Sequence, residues 1–102
     1  GTYCVAVAGD NGVRFSLDGI LLVNAPSNVQ FNFEYWHVFE LTLTAGTHVI
    51  AVEGYNYGGA AAFDAEIYNA TAALLQTFTT PVQLQNPAIT VFSTFDKIAK
   101  VL

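Results

Sequence analysis

The feature that most restricts this chain is an alternation of apolar and polar residues with a period of two, repeated over most of its length. Val13, Phe15 and Leu17 alternate with Arg14, Ser16 and Asp18. Val29, Phe31 and Phe33 alternate with Gln30, Asn32 and Glu34, and in the run 35–44 the residues Tyr35, His37, Phe39, Leu41 and Leu43 share one side. Successive side chains of an extended strand point to opposite faces, so this spacing gives each strand one apolar and one polar face. A single apolar face must be covered by a second layer.

Turn residues cut the alternation into short strands. Asp18-Gly19 stands between the 13–17 run and Ile20-Leu21-Leu22-Val23, which predicts a two-residue hairpin in which both turn positions take positive φ. Ala45-Gly46-Thr47 turns the chain into a strand at 48–53, and Gly54-Tyr55-Asn56-Tyr57-Gly58-Gly59 forms a loop before a strand at 60–68 with Phe63, Ala65 and Ile67 on one face. At the start, Tyr3, Val5 and Val7 share a face, which leaves the single Cys4 on the other as a small buried hydrophobe. From Asn69 the pattern changes. Residues 70–76 carry helix formers behind an Asn able to cap them, Pro81 and Pro87 punctuate a loop, 89–95 reads as a strand, and Asp96 caps a predicted helical turn over 97–102. The expected fold is all-β, an antiparallel β-sandwich of jelly-roll kind, with short helical turns near the C-terminus. It divides into a sandwich module at 1–69 and an extension at 70–102 that packs on the sandwich or on a neighbouring subunit.

Composition narrows the function. Apolar residues make up 53% of the 102 positions, and charged residues only 11%, with 3 Lys+Arg against 8 Asp+Glu. A chain so apolar is not intrinsically disordered. Two of its three basic residues, Lys97 and Lys100, lie near the end, so Arg14 alone serves the rest, too little to track a phosphate backbone. No apolar run approaches the ~20 residues of a membrane-spanning helix. One cysteine excludes an internal disulfide and a cysteine metal cluster. The chain opens without Met and closes inside an apolar stretch, which predicts a piece of a longer protein.

Two stretches carry a resemblance. Val7-Ala8-Gly9-Asp10-Asn11-Gly12-Val13-Arg14-Phe15-Ser16-Leu17-Asp18-Gly19 resembles the first hairpin of galactose-binding-like and protective-antigen-type sandwich modules, and residues 45–67, from Ala45-Gly46-Thr47 through Tyr55-Asn56-Tyr57-Gly58-Gly59 to Ile67, look like their later core. The likeness covers roughly residues 3–69, and since such modules usually carry one or more earlier strands it implies that N-terminal strands are lacking here. It implies a module of a carbohydrate-active enzyme, adhesin, or viral tail or fibre protein, at an extracellular, cell-surface or virion location. By the same resemblance, Asp10 and Asn11 occupy the place where related lectins set paired aspartates around Ca²⁺, so calcium is the alternative to the expectation of no cofactor. A hard cation prefers more than one carboxylate, and Asn11 offers none. Asp, Asn and Gly are also ordinary turn residues.

The loop of Tyr55, Asn56, Tyr57, Gly58 and Gly59 is the stronger ligand candidate. Tyrosine rings stack on the apolar face of a sugar, an Asn amide bonds hydroxyls, and glycine lets the backbone approach. The plain alternative is a tight connection whose tyrosines cover the sandwich end. Trp36 and His37 are expected on opposite faces of one strand, with His37 a packing residue, and His48 has no acidic or His partner nearby in sequence. Glu34, Glu40, Glu53, Asp64 and Glu66 mostly alternate with apolar positions, and no acid, base and nucleophile constellation is visible, so no enzyme is expected. Asn69-Ala70-Thr71 is a glycosylation sequon and equally a helix cap. The expected role is therefore structural. Uncharged tracts such as Leu21-Leu22-Val23 favour self-association or packing against neighbouring domains, with glycan binding through loop 55–59 as the alternative.

Overall fold

The computed structural model describes residues 1–26, 36–56, 58–59, 61–79 and 88–102. The fold is all-β, built among the described residues from two antiparallel sheets and one short helix: β1 (Thr2–Asp10), β2 (Gly12–Leu17), β3 (Ile20–Ala25), β4 (His37–Thr42), β5 (Ile50–Tyr55), β6 (Ala62–Tyr68), α1 (Ala72–Leu75), β7 (Thr90–Ser93) and β8 (Ile98–Ala99). The larger sheet runs β4-β1-β6-β7-β8 and the smaller β3-β2-β5. The predicted strand around Val29, Phe31 and Phe33, Tyr35 at the head of the next run, and the predicted loop between Pro81 and Pro87 lie outside the described residues.

The alternation does what its period requires. Val5 and Val7 of β1, Val13, Phe15 and Leu17 of β2, Val23 of β3, and Ala65 and Ile67 of β6 meet in one core between the sheets, joined by Leu43 and Val91. Phe39 and Leu41 of β4 pack against its edge. Across the middle, the Phe15 ring of the smaller sheet meets the Phe39 ring of the larger edge to face, centroids 6.4 Å apart and planes at 67°. Removing so much apolar surface from water is the main force holding the layers together.

Two corners explain local sequence. The Asp18-Gly19 turn forms as expected, with φ of 50° and 81°, and seats Leu17 opposite Ile20. Where β1 turns into β2, the Asp10–Asn11 peptide is cis. A side chain on Gly12 would put its Cβ 2.5 Å from the Pro26 backbone, so only glycine fits that corner.

The C-terminal part departs from expectation twice. The helix is capped by Thr71, not Asn69: the Thr71 hydroxyl accepts from the Leu74 N–H, while the Asn69 N–H is still engaged with the Ile89 carbonyl. The turn predicted over 97–102 is instead a hairpin. Lys97 takes φ of 58°, which ends any helix, and Ile98 and Ala99 pair with Ser93 and Phe92. Four apolar residues in six, Ile98, Ala99, Val101 and Leu102, do not decide between the two periods, and the edge of β7 supplied a ladder that a helix would have left unpaired. Leu102 turns back on the core and exchanges backbone hydrogen bonds with Gly46, while Gly1 exchanges a similar pair with Leu43. Both ends of the chain are thereby tied to the β4–β5 connection.

Candidate functional site

The strand directions bring two of the sequence candidates to one end of the fold. β1 finishes at Asp10 and β5 at Tyr55, and the Asn11 N–H donates to the Tyr55 carbonyl at 2.7 Å. Asp10, Gly54, Tyr55, Asn56, Ala61, Ala62 and Phe63 line a shallow cavity of ≈ 380 Å³. Tyr55 is braced there: its hydroxyl donates to the Glu53 carboxylate at 2.7 Å, and the Arg14 guanidinium lies over its ring, 5.7 Å from the centroid. Asn56 is turned on its own loop, accepting from the Gly58 N–H at 3.2 Å and donating to the Gly59 carbonyl at 3.3 Å. Gly58 and Gly59 both take positive φ, 135° and 71°, which that tight bend demands. Tyr57 lies outside the described residues.

The same cavity bears on the calcium expectation. Asp10 is the sole carboxylate among its described lining residues. Among the described residues no group of three or more His, Cys, Asp or Glu is placed to hold a metal ion.

A larger groove of ≈ 670 Å³ opens on the outer face of the five-stranded sheet. Its floor is Cys4, Ala6 and Val38, and its walls include Trp36, Tyr68, Ala72, Leu75 and Phe78. The small outward residues of β1 leave the depression, and α1 rises beside it. The helix is held down by Glu40 of β4, whose carboxylate accepts from the Ala72 N–H at 2.6 Å, one of the donors that a helix start leaves without an internal partner. Cys4 is fully buried at this floor, and burial first, then the Glu40 charge, pushes its thiol pKa up. Trp36 stands exposed just ahead of β4, while His37 faces the interior opposite Val7, its buried Nε2 without a hydrogen-bond partner.

Two clusters could not be assembled from neighbouring sequence. His48 Nδ1 lies 2.7 Å from the Asp18 carboxylate and Nε2 lies 2.8 Å from the Thr44 carbonyl oxygen. Both neighbours are acceptors, so the ring satisfies both only as the doubly protonated imidazolium. The Asp18 hydrogen bond, then the Thr44 carbonyl, accordingly raises the His48 pKa, and the bond from His48, then that from the Val49 N–H, lowers the Asp18 pKa. The second cluster lies on the outer side of β6. Glu66 is buried there, and burial pushes its pKa up to about 7, with Asp64 and Asp96 adding to the rise and the Ser93 hydroxyl opposing it. Asp64 accepts from Thr94 Oγ1 at 2.8 Å. Burial, followed by the charge of Glu66, likewise raises the neighbouring Tyr68 hydroxyl.

Among the described residues no helix is long and apolar enough to cross a membrane. No family model, curated protein or solved structure matches this chain, so its sites stand on their own geometry.

Proposed function

We propose that this chain is a non-catalytic assembly module of a larger extracellular, fibre or virion protein, joined to its neighbours through apolar surface at its sheet edges. The observation that carries the reading is on β3, an outermost strand of the smaller sheet among the described residues, where Ile20, Leu21 and Leu22 are 64%, 47% and 40% exposed in succession. Natural edge strands are usually guarded by charge or proline, and residues 20–25 contain neither. The test is sedimentation of the full chain from micromolar to millimolar concentration. Association that grows with concentration supports the reading, and a monomer throughout that range ends it.

A second reading is favoured by one observation, the convergence of Asp10, Tyr55 and Asn56 on a single cavity. In that reading the end of the fold contacts a glycan, as the resemblance to galactose-binding-like modules implies. Retention on a glycan array, lost in Tyr55→Ala and Tyr57→Ala variants that keep their fold, would support it. Absence of retention by the unaltered chain, with and without Ca²⁺, would remove it.

A further inference from the structure

Resting on the extracellular location in the proposed reading, we infer that Asn69 is a modification site and carries an N-linked oligosaccharide, taken from a polyprenyl diphosphate donor as the chain enters a secretory compartment. The sequence has one place for it. Asn69-Ala70-Thr71 meets the Asn-x-Ser/Thr rule, and the residue two places after each of the other six asparagines is neither Ser nor Thr.

The triplet admits two uses, sugar acceptor and helix cap, and the fold gives them to different residues. Thr71 caps α1, its hydroxyl accepting from the Leu74 N–H at 3.1 Å. Asn69 is spared that task. Its N–H donates to the Ile89 carbonyl at 2.7 Å, which fixes the backbone just past the end of β6. Among the described residues its side chain makes no hydrogen bond. Asn24 and Asn56 differ, since one accepts from Arg14 Nε at 2.9 Å and the other bends its own loop.

Exposure singles out the same residue. From Ala65 to Ala70 every residue is buried except Asn69. The end of β6 thus covers Tyr68 and Ala70 and turns the side chain between them to solvent. An amide left in water needs no protein partner, and a sugar on its nitrogen displaces no buried neighbour. Nor does the cap compete with the modification. Transfer to the entering chain precedes the coiling of 72–75, so the Thr71 hydroxyl serves the acceptor triplet first and the helix afterwards.

The chemistry balances without an oxidant or reductant. Asn69 Nδ2 attacks C1 of the first sugar of the donor. The N–C1 bond forms, the C1–O bond to the diphosphate breaks, Nδ2 gives up one proton and the polyprenyl diphosphate leaves. A bulky, solubilising sugar on this turn keeps neighbouring modules away from it, so the assembly joins through other surfaces.

The test is secretion of the full chain behind a cleavable leader from cultured eukaryotic cells, with masses read on both secreted and cell-retained protein. The unaltered chain should gain the mass of one oligosaccharide, lost on treatment with peptide N-glycosidase, which leaves an aspartate at position 69. Asn69→Gln should abolish the gain. So should Thr71→Asn, which removes the hydroxyl yet keeps a side chain that caps helices at least as well, with melting curves to verify its fold. Thr71→Ser retains both uses and should keep the sugar. An unaltered chain without sugar in both fractions overturns the assignment, and so does a sugar that persists in Asn69→Gln or Thr71→Asn. Sedimentation of the same material reads the assembly separately: a monomer at every concentration ends that reading and leaves the mass gain at Asn69 in place.

Discussion

Phe15→Ala is the sharpest test of how the two sheets are held. Phe15 is completely buried in β2, at the centre of the shared core, and its ring meets Phe39 of the opposing sheet at 6.4 Å. Truncation removes the ring and leaves a hole that β-structure, pinned by ladders on both sides of β2, closes poorly. Such changes cost about 3–5 kcal/mol. A domain of this size has roughly 5–15 kcal/mol in total, so the variant keeps a margin in some cases and unfolds in others. With a urea dependence of about 1–3 kcal/mol per molar, the midpoint should fall by about 2 M. Phe39→Ala should cost less, because Phe39 is only partly buried. The double variant carries the decisive number. If the rings bridge the sheets, the two losses should fail to add by about 1 kcal/mol, the coupling expected of an edge-to-face pair. A loss under about 1 kcal/mol for Phe15→Ala, or additivity within about 0.3 kcal/mol, would refute the shared core.

Other expectations concern pH and the turn. Glu66 has a folded pKa of about 7 against an ordinary 4.5, so its protonated form favours folding: the contribution is complete below pH 4.5 and is lost as pH rises through 7. Urea midpoints should fall over that interval, and Glu66→Gln should flatten the fall. His48 is raised above 6.5, so its contribution is complete below 6.5 and lost as pH rises through its folded value, while lowered Asp18 contributes above 3.8 and loses its contribution as pH falls through its own folded value. The clasp is thus complete between about 3.8 and 6.5, and Asp18→Asn should bring the His48 titration seen by NMR down towards 6.5. Gly19→Ala, at φ of 81° in the β2–β3 turn, should cost about 1–2 kcal/mol in thermal or urea melts.

The all-β character, the Asp18-Gly19 hairpin and the inward face of β2 were legible because each depends on residues within a few positions of one another. So was the burial of Cys4, since Tyr3, Val5 and Val7 claim the opposite face. Sequence also marked the two stretches that meet at Asp10 and Tyr55, though their meeting depends on strand direction. The rest depends on pairing across long separations. Asp18 and His48 are 30 positions apart and become partners only when β5 is laid beside β2. Asp64 and Glu66 read only as acidic residues alternating with apolar positions until β7 and the turn after it bring Ser93, Thr94 and Asp96 beside them. The tail over 97–102 was misread because an edge strand and a helical turn share its apolar spacing, and only the open edge of β7 decides between them.

The thiol at the floor of the outer groove makes the molecule its own clock. Cys4 is the single cysteine and is wholly covered, so a thiol reagent added to the folded protein reacts only in moments when its cover lifts. The rate of modification, divided by that of an unfolded chain, reads the population of such openings. If lifting of α1 is enough, Glu40→Gln, which weakens the tie to the Ala72 N–H, should quicken labelling while leaving global melting nearly unchanged. If the sheet must come apart first, labelling and melting should move together, and a probe that nature placed for packing would then report on the whole fold.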